Sequence, residues 1–132
     1  MMRLQSYRVV ISSMLLLTAT LSMAQSGETT AGNAVQGKEI YDARCSACHS
    51  VDNNRVGPMH LGVFGRKVGS VKSYRYSDAL SKSKVVWSRE TLTAWLTNPE
   101  KLIPGQRMGY AMDNSQDRDD VVAYLATLKA LK

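Results

Sequence analysis

Cys45-Ser46-Ala47-Cys48-His49 is the one pentapeptide in this chain whose spacing specifies a chemistry. Two thiols three positions apart can add across the two vinyl groups on one edge of a haem. The histidine that follows is then held under the iron as a ligand. Three other uses of the pair compete. Two cysteines in an exported chain commonly form a disulfide. A thioredoxin-like Cys-x-x-Cys belongs in a βαβ pattern, which is absent here. A zinc site takes four ligands, and Cys45, Cys48, His49 and His60 match no common finger spacing. The spacing of the thiols and the neighbouring His49 favour the haem reading.

Working outward, the flanking sequence is helical or irregular and has no strand-like alternation beyond a few residues. Gly37 to Arg44 suits a short helix with Ile40 and Tyr41 on one side. Residues 50–73 carry Gly57-Pro58, Gly62, Gly65 and Gly69 among single apolar residues, the punctuation of an ordered loop. A loop that long in a compact domain needs something to order it; a large prosthetic group supplies that. Ser88 is a plausible N-cap for a helix through Leu92, Trp95 and Leu96, which Asn98-Pro99 ends. A second loop runs from Lys101 to about Asn114. The last helix is capped by Asn114 or Ser115, with Asp117, Asp119 and Asp120 near its start and Lys129 and Lys132 near its end. Val121, Tyr124, Leu125 and Leu128 form its apolar stripe. The expectation is an all-α domain of four to five short helices with long loops around one covalent haem.

The 132-residue chain opens with Arg3 and Arg8, then a mostly apolar run from Val9 to Met23, and small residues at Ser22 and Ala24. That is the layout of a secretory signal peptide. A membrane anchor needs about 20 predominantly apolar residues, and this run is broken by Ser12, Ser13, Thr18 and Thr20. The expected division is a signal peptide over 1–24, a flexible lead-in over 25–35 and one domain over 36–132. Cleavage after Ala24 leaves 108 residues with 15 basic and 11 acidic side chains, a net charge near +4. A domain of that size buries a modest fraction of its surface and needs a supplement to its core. Export and the absence of any nucleic-acid motif argue against a nucleic-acid partner.

From Gly37 onward the chain resembles the class I cytochrome c family. The resemblance rests on the order of several short segments. After CSACH come Gly57-Pro58, Gly62-Val63-Phe64-Gly65-Arg66-Lys67 and Tyr74-Arg75-Tyr76-Ser77-Asp78-Ala79. Then follow Trp87, Asn98-Pro99-Glu100-Lys101, Ile103-Pro104-Gly105-Gln106-Arg107-Met108 and Val121-Val122-Ala123-Tyr124-Leu125. The resemblance implies that one haem c is attached through Cys45 and Cys48, with His49 and Met108 as its axial ligands. Met59, Met112 and His60 are the other candidate ligands in the domain. It further implies that the Pro58 carbonyl accepts the ring N–H of His49, and that Arg66, Tyr76 and Trp87 bond the haem propionates. His60 falls where the family has an apolar residue, which suits a packed or solvent-facing loop histidine. Two departures stand out: Trp95 replaces a common tyrosine and Gln106 a frequent threonine, and either change could alter the hydrogen bonding around Met108.

The function this implies is one-electron transfer by a monomeric periplasmic carrier that is not an enzyme. The alternatives are a haem enzyme or gas-binding protein with an open iron position, and an electron-entry module dedicated to one redox enzyme. Between Arg55 and Arg107 stand ten basic residues and three acids, Asp78, Glu90 and Glu100. Lysines ring the exposed haem edge in the family, so this stretch is expected to face acidic redox partners such as membrane cytochrome complexes, oxidases or dehydrogenases.

Overall fold

The computed structural model describes residues 31–129. Five helices follow one another: α1 (Ala34–Arg44), α2 (Asp78–Lys82), α3 (Arg89–Thr97), α4 (Pro99–Leu102) and α5 (Ser115–Thr127). Among the described residues there is no named strand. A single antiparallel bridge joins Lys67 to Val86 and ties the loop before α2 to the loop after it. The all-α expectation is met. The signal-peptide expectation, residues 25–30 of the lead-in and Lys132 lie outside the described residues.

Most helix ends follow from their caps. The Ser88 hydroxyl accepts from the Thr91 amide, and the Thr91 hydroxyl accepts from the Ser88 amide at 2.7 Å, closing a capping box on α3. Asn98 ends α3, and its side chain accepts from Lys101 N at 2.9 Å to start α4 with Pro99 in its first turn. Asn114, rather than Ser115, caps α5. Lys129 lies just past the Leu128 C-cap, near the end of α5 as expected. Helix α1 starts at Ala34, three residues before the expected Gly37, because the Asn33 side chain accepts from Val35 N and Gln36 N. The five-residue α2, which shows no periodicity to read, rests on a Ser77 cap.

Helix α5 packs against both α1 and α3. Burial therefore extends beyond the expected stripe: Val121 and Leu125 are joined by Val122 and Ala123, while Tyr124 and Leu128 are half-buried. The α1–α5 crossing is backbone-close at Gly37, where a Cβ would lie 1.9 Å from the Asp120 carbonyl oxygen. The buried Asp120 carboxylate accepts from Asn33 N at 2.7 Å and from the Gln116 amide at 2.8 Å, pinning the start of α1 to α5. Gly37→Ala should push the two helices apart. A loss of about 1–3 kcal/mol, the usual cost of overpacking, is expected in thermal or denaturant unfolding; unchanged stability would mean that the crossing relaxes freely.

Candidate haem-binding site

The C-terminal end of α1 turns directly into the Cys-x-x-Cys-His segment. Cys45 is the C-cap of α1, and its carbonyl accepts from Cys48 N at 3.1 Å and from His49 N at 2.8 Å. That turn brings both thiols and the His49 ring to the wall of one cavity of about 660 Å³. Ligand cavities run to about 300–1,000 Å³, so the space suits a large cofactor. All eight residues singled out from the sequence line it: Cys45, Cys48, His49, Pro58, Arg66, Tyr76, Trp87 and Met108.

The loop after the motif shapes the histidine. Gly57 N donates to Cys48 O at 2.8 Å, and His49 Nδ1 lies 2.8 Å from Pro58 O. A carbonyl only accepts, so Nδ1 carries the proton and Nε2 keeps its lone pair, as a metal-ligating imidazole requires. Gly57 passes so near the ring that a Cβ there would fall 2.2 Å from His49 Cε1. Burial holds the His49 pKa below the usual imidazole value, which favours the neutral ring. The Cys45 thiol is pushed up to about 11 by burial. A thioredoxin-like nucleophile needs a depressed pKa instead. Among the described residues, no three Cys, His, Asp or Glu side chains group as a metal site.

Elsewhere on the cavity wall the donors suit carboxylates. The Arg66 guanidinium is fixed by Leu61 O at 2.8 Å and Met59 O at 2.9 Å, and burial lowers its pKa. Burial raises the pKa of Tyr76, keeping its hydroxyl protonated. Trp87 is positioned by its amide bonding Arg66 O at 2.9 Å and by an edge-on contact with Trp95 at 5.4 Å. Anionic groups buried here would find N–H and O–H partners rather than bare apolar wall. The residues present therefore fit a haem with its propionates.

Of the three methionines among the described residues, only Met108 lines the cavity. Met112 is 2% exposed within the hydrophobic core, and its amide bonds Leu96 O at 2.7 Å. The Trp95 indole N–H points at Met108 Sδ, 3.0 Å away. The Gln106 amide oxygen accepts from Met108 N, and its nitrogen reaches Glu100 at 3.3 Å. Both departures from the family pattern thus touch Met108.

His60 is a packed residue rather than a solvent-facing one. Its ring stacks on His49, centroids 4.2 Å apart and planes 20° apart, and its Nδ1 lies 3.0 Å from the Tyr41 hydroxyl. Burial, with His49 and Arg66 nearby, pushes its pKa down to about 3, so it is neutral. Standing beside His49, it is not placed to face that ring across an iron. Sequence reasoning missed this stack, along with Arg75 and Tyr74 on the cavity wall; Tyr74 closes the loop by donating to Val56 O at 2.5 Å.

Comparison with known proteins agrees with this geometry. The sequence model of the family described as Cytochrome c matches residues 34–129. The chain is 41% identical over 101 residues to a cytochrome c of Euglena viridis, covering 74% of this chain and 99% of that protein. It is 40% identical over 106 residues to a cytochrome c2 of Rhodopila globiformis, covering 78% and 100%. Cytochrome cH from Methylobacterium extorquens superposes with a TM-score of 0.69 at 40% identity, covering 73% of this chain and 99% of that one. The chain belongs to the cytochrome c family, as an electron-carrying protein with a covalently attached haem c.

Proposed function

We propose that the protein is a diffusible one-electron carrier of the periplasm, its haem tethered by Cys45 and Cys48 and ligated axially by His49 Nε2 and Met108 Sδ. One observation carries the ligand assignment: the cavity that holds the basic nitrogen of His49 is lined by Met108 and by no other described methionine. The bound haem supplies a ferric/ferrous couple. The chain keeps both iron positions filled, excludes water with Trp87, Trp95, Leu92 and Leu96, and offers the propionates the positive charge of Arg66 with hydrogen-bond donors on Tyr76 and Trp87. An open-iron enzyme needs a distal acid–base residue, and the second histidine of the chain is used against His49. That favours a carrier over a haem enzyme. The signal-like segment 1–24 supports export, and among the described residues no helix is long and apolar enough to cross a membrane.

The basic stretch supports an acidic partner. Arg75 and Arg107 are exposed and also line the cavity, while Lys67, Lys72 and Lys101 are exposed nearby in sequence. Attraction of this kind steers encounter and is screened by salt, since the Debye length falls from about 10 Å at 0.1 M to about 3 Å at 1 M. Optical spectra in both redox states should show low-spin haem with methionine ligation. Stopped-flow rates with an acidic partner should fall steeply with ionic strength and with charge reversal at Lys67, Lys72, Lys101 or Arg107. Reversal at Lys129 should leave them nearly unchanged. Rates indifferent to salt, or equally sensitive at Lys129, would reduce the basic stretch to solvated surface.

A further inference from the structure

We propose that His60 is a positioning residue that sets the plane of the His49 ring, and through it the orientation of the axial imidazole on the iron. The inference rests on the reading of His49 as a ligand. The hydrogen bond from Nδ1 to Pro58 O fixes one point on the edge of that ring. Rotation about Cβ–Cγ is otherwise soft, because the χ2 torsion of histidine is broad. A flat neighbour removes that freedom, and His60 is one: its ring lies 4.2 Å from His49 at 20°.

His60 is itself held at several points. Its Nδ1 is 3.0 Å from the Tyr41 hydroxyl, and its amide donates to Ser50 O at 3.0 Å. Tyr41 is 3% exposed and meets both His60 and Tyr124 edge-on, at 5.6 Å and 5.2 Å. A chain of ring contacts therefore runs from α5, through Tyr41 of α1, to the ligand. The packing of the two helices is transmitted to the plane of the iron-binding ring. An aliphatic residue at position 60 would fill the space but could neither bond Tyr41 nor present a flat face.

In a low-spin ferric haem the plane of the axial imidazole orients the singly occupied iron orbital. It thereby sets the spread of the haem methyl proton shifts and the anisotropy of the EPR signal. The test compares oxidised holoprotein of the wild type with His60→Leu, His60→Phe and Tyr41→Phe by proton NMR and EPR. A wild type without a low-spin histidine–methionine signature overturns the ligand reading and the inference with it. Given that signature, His60→Leu should redistribute the four methyl shifts, His60→Phe should stay closer to wild type because it keeps a stacked ring, and Tyr41→Phe should move in the direction of His60→Leu by a smaller amount. Methyl shifts and EPR values unchanged in His60→Leu overturn the inference while leaving the ligand reading intact. So does a displacement in His60→Phe as large as in His60→Leu. Where His60→Leu fails to fold, Tyr41→Phe decides, and an unchanged pattern there overturns it.

Discussion

Met108→Ala should convert the protein from low-spin to high-spin or water-ligated iron and lower its midpoint potential by an appreciable part of the roughly 0.8 V that axial ligands control. A thioether is a soft ligand that favours the ferrous state, so its loss stabilises the ferric one. Substitutes are poorly placed. Met112 is buried in the core with its backbone bonded to Leu96, and His60 is stacked beside His49. The opened position should also admit small ligands and give weak peroxidase activity. Trp95→Phe is the informative companion variant. It removes the N–H that points at Met108 Sδ from 3.0 Å and leaves the sulfur itself in place. A donor on the sulfur lone pair weakens its donation to ferric iron more than to ferrous iron, so Trp95→Phe should lower the potential by a smaller step and stay low-spin. Spectroelectrochemistry with optical spectra checks both. A Met108→Ala protein that stays low-spin at an unchanged potential would assign the ligand elsewhere.

What was legible in the sequence was local. The CSACH spacing, the Ser88 cap, the Asn98-Pro99 break and the apolar spacing in α5 each depend on residues within one or two helical turns. The structure reproduces them there. What was missed depends on distant partners. The Asn33 cap that starts α1 early is local, but what anchors it is distant: Asp120, 87 residues away, accepts from Asn33 N. The extra burial at Val122 and Ala123 arises because α5 is packed on two sides by α1 and α3, which no single stripe announces. The site divides the same way. The eight expected residues were named from the order of the family segments, and all of them line one cavity, whereas the stack of His60 on His49 joins residues that no motif connects. Trp95 and Gln106 were visible as departures. The fold supplies the contacts by which each alters the surroundings of Met108: the indole N–H on its sulfur and the Gln106 amide oxygen on its backbone N–H.

Cys45→Ala/Cys48→Ala should leave little stable protein. The cavity wall and the hydrophobic core are largely the same residues: Tyr41, Val63, Trp87, Leu92, Trp95, Leu96, Val121 and Leu125 belong to both. A haem held only by its ligands can leave, and those side chains then face water at about 25 cal/mol per Å² of apolar surface. A domain this small has a net stability of only about 5–15 kcal/mol, so losing the central part of its packing should remove most of it. The tether matters most in the unfolded chain, where covalent attachment keeps the cofactor at hand for refolding. The two cysteines are not equivalent: Cys45 is half-buried at the α1 C-cap and Cys48 is exposed. The single variants should each retain a haem-staining band on a denaturing gel through the remaining thioether, with Cys45→Ala the less stable because it also disturbs the helix end. The double variant should show no such band and should have lost most of its helical circular dichroism. Wild-type protein that releases its haem into acid–acetone would overturn the covalent assignment, and a double variant that folds with native helicity would overturn the dependence of the fold on the tether.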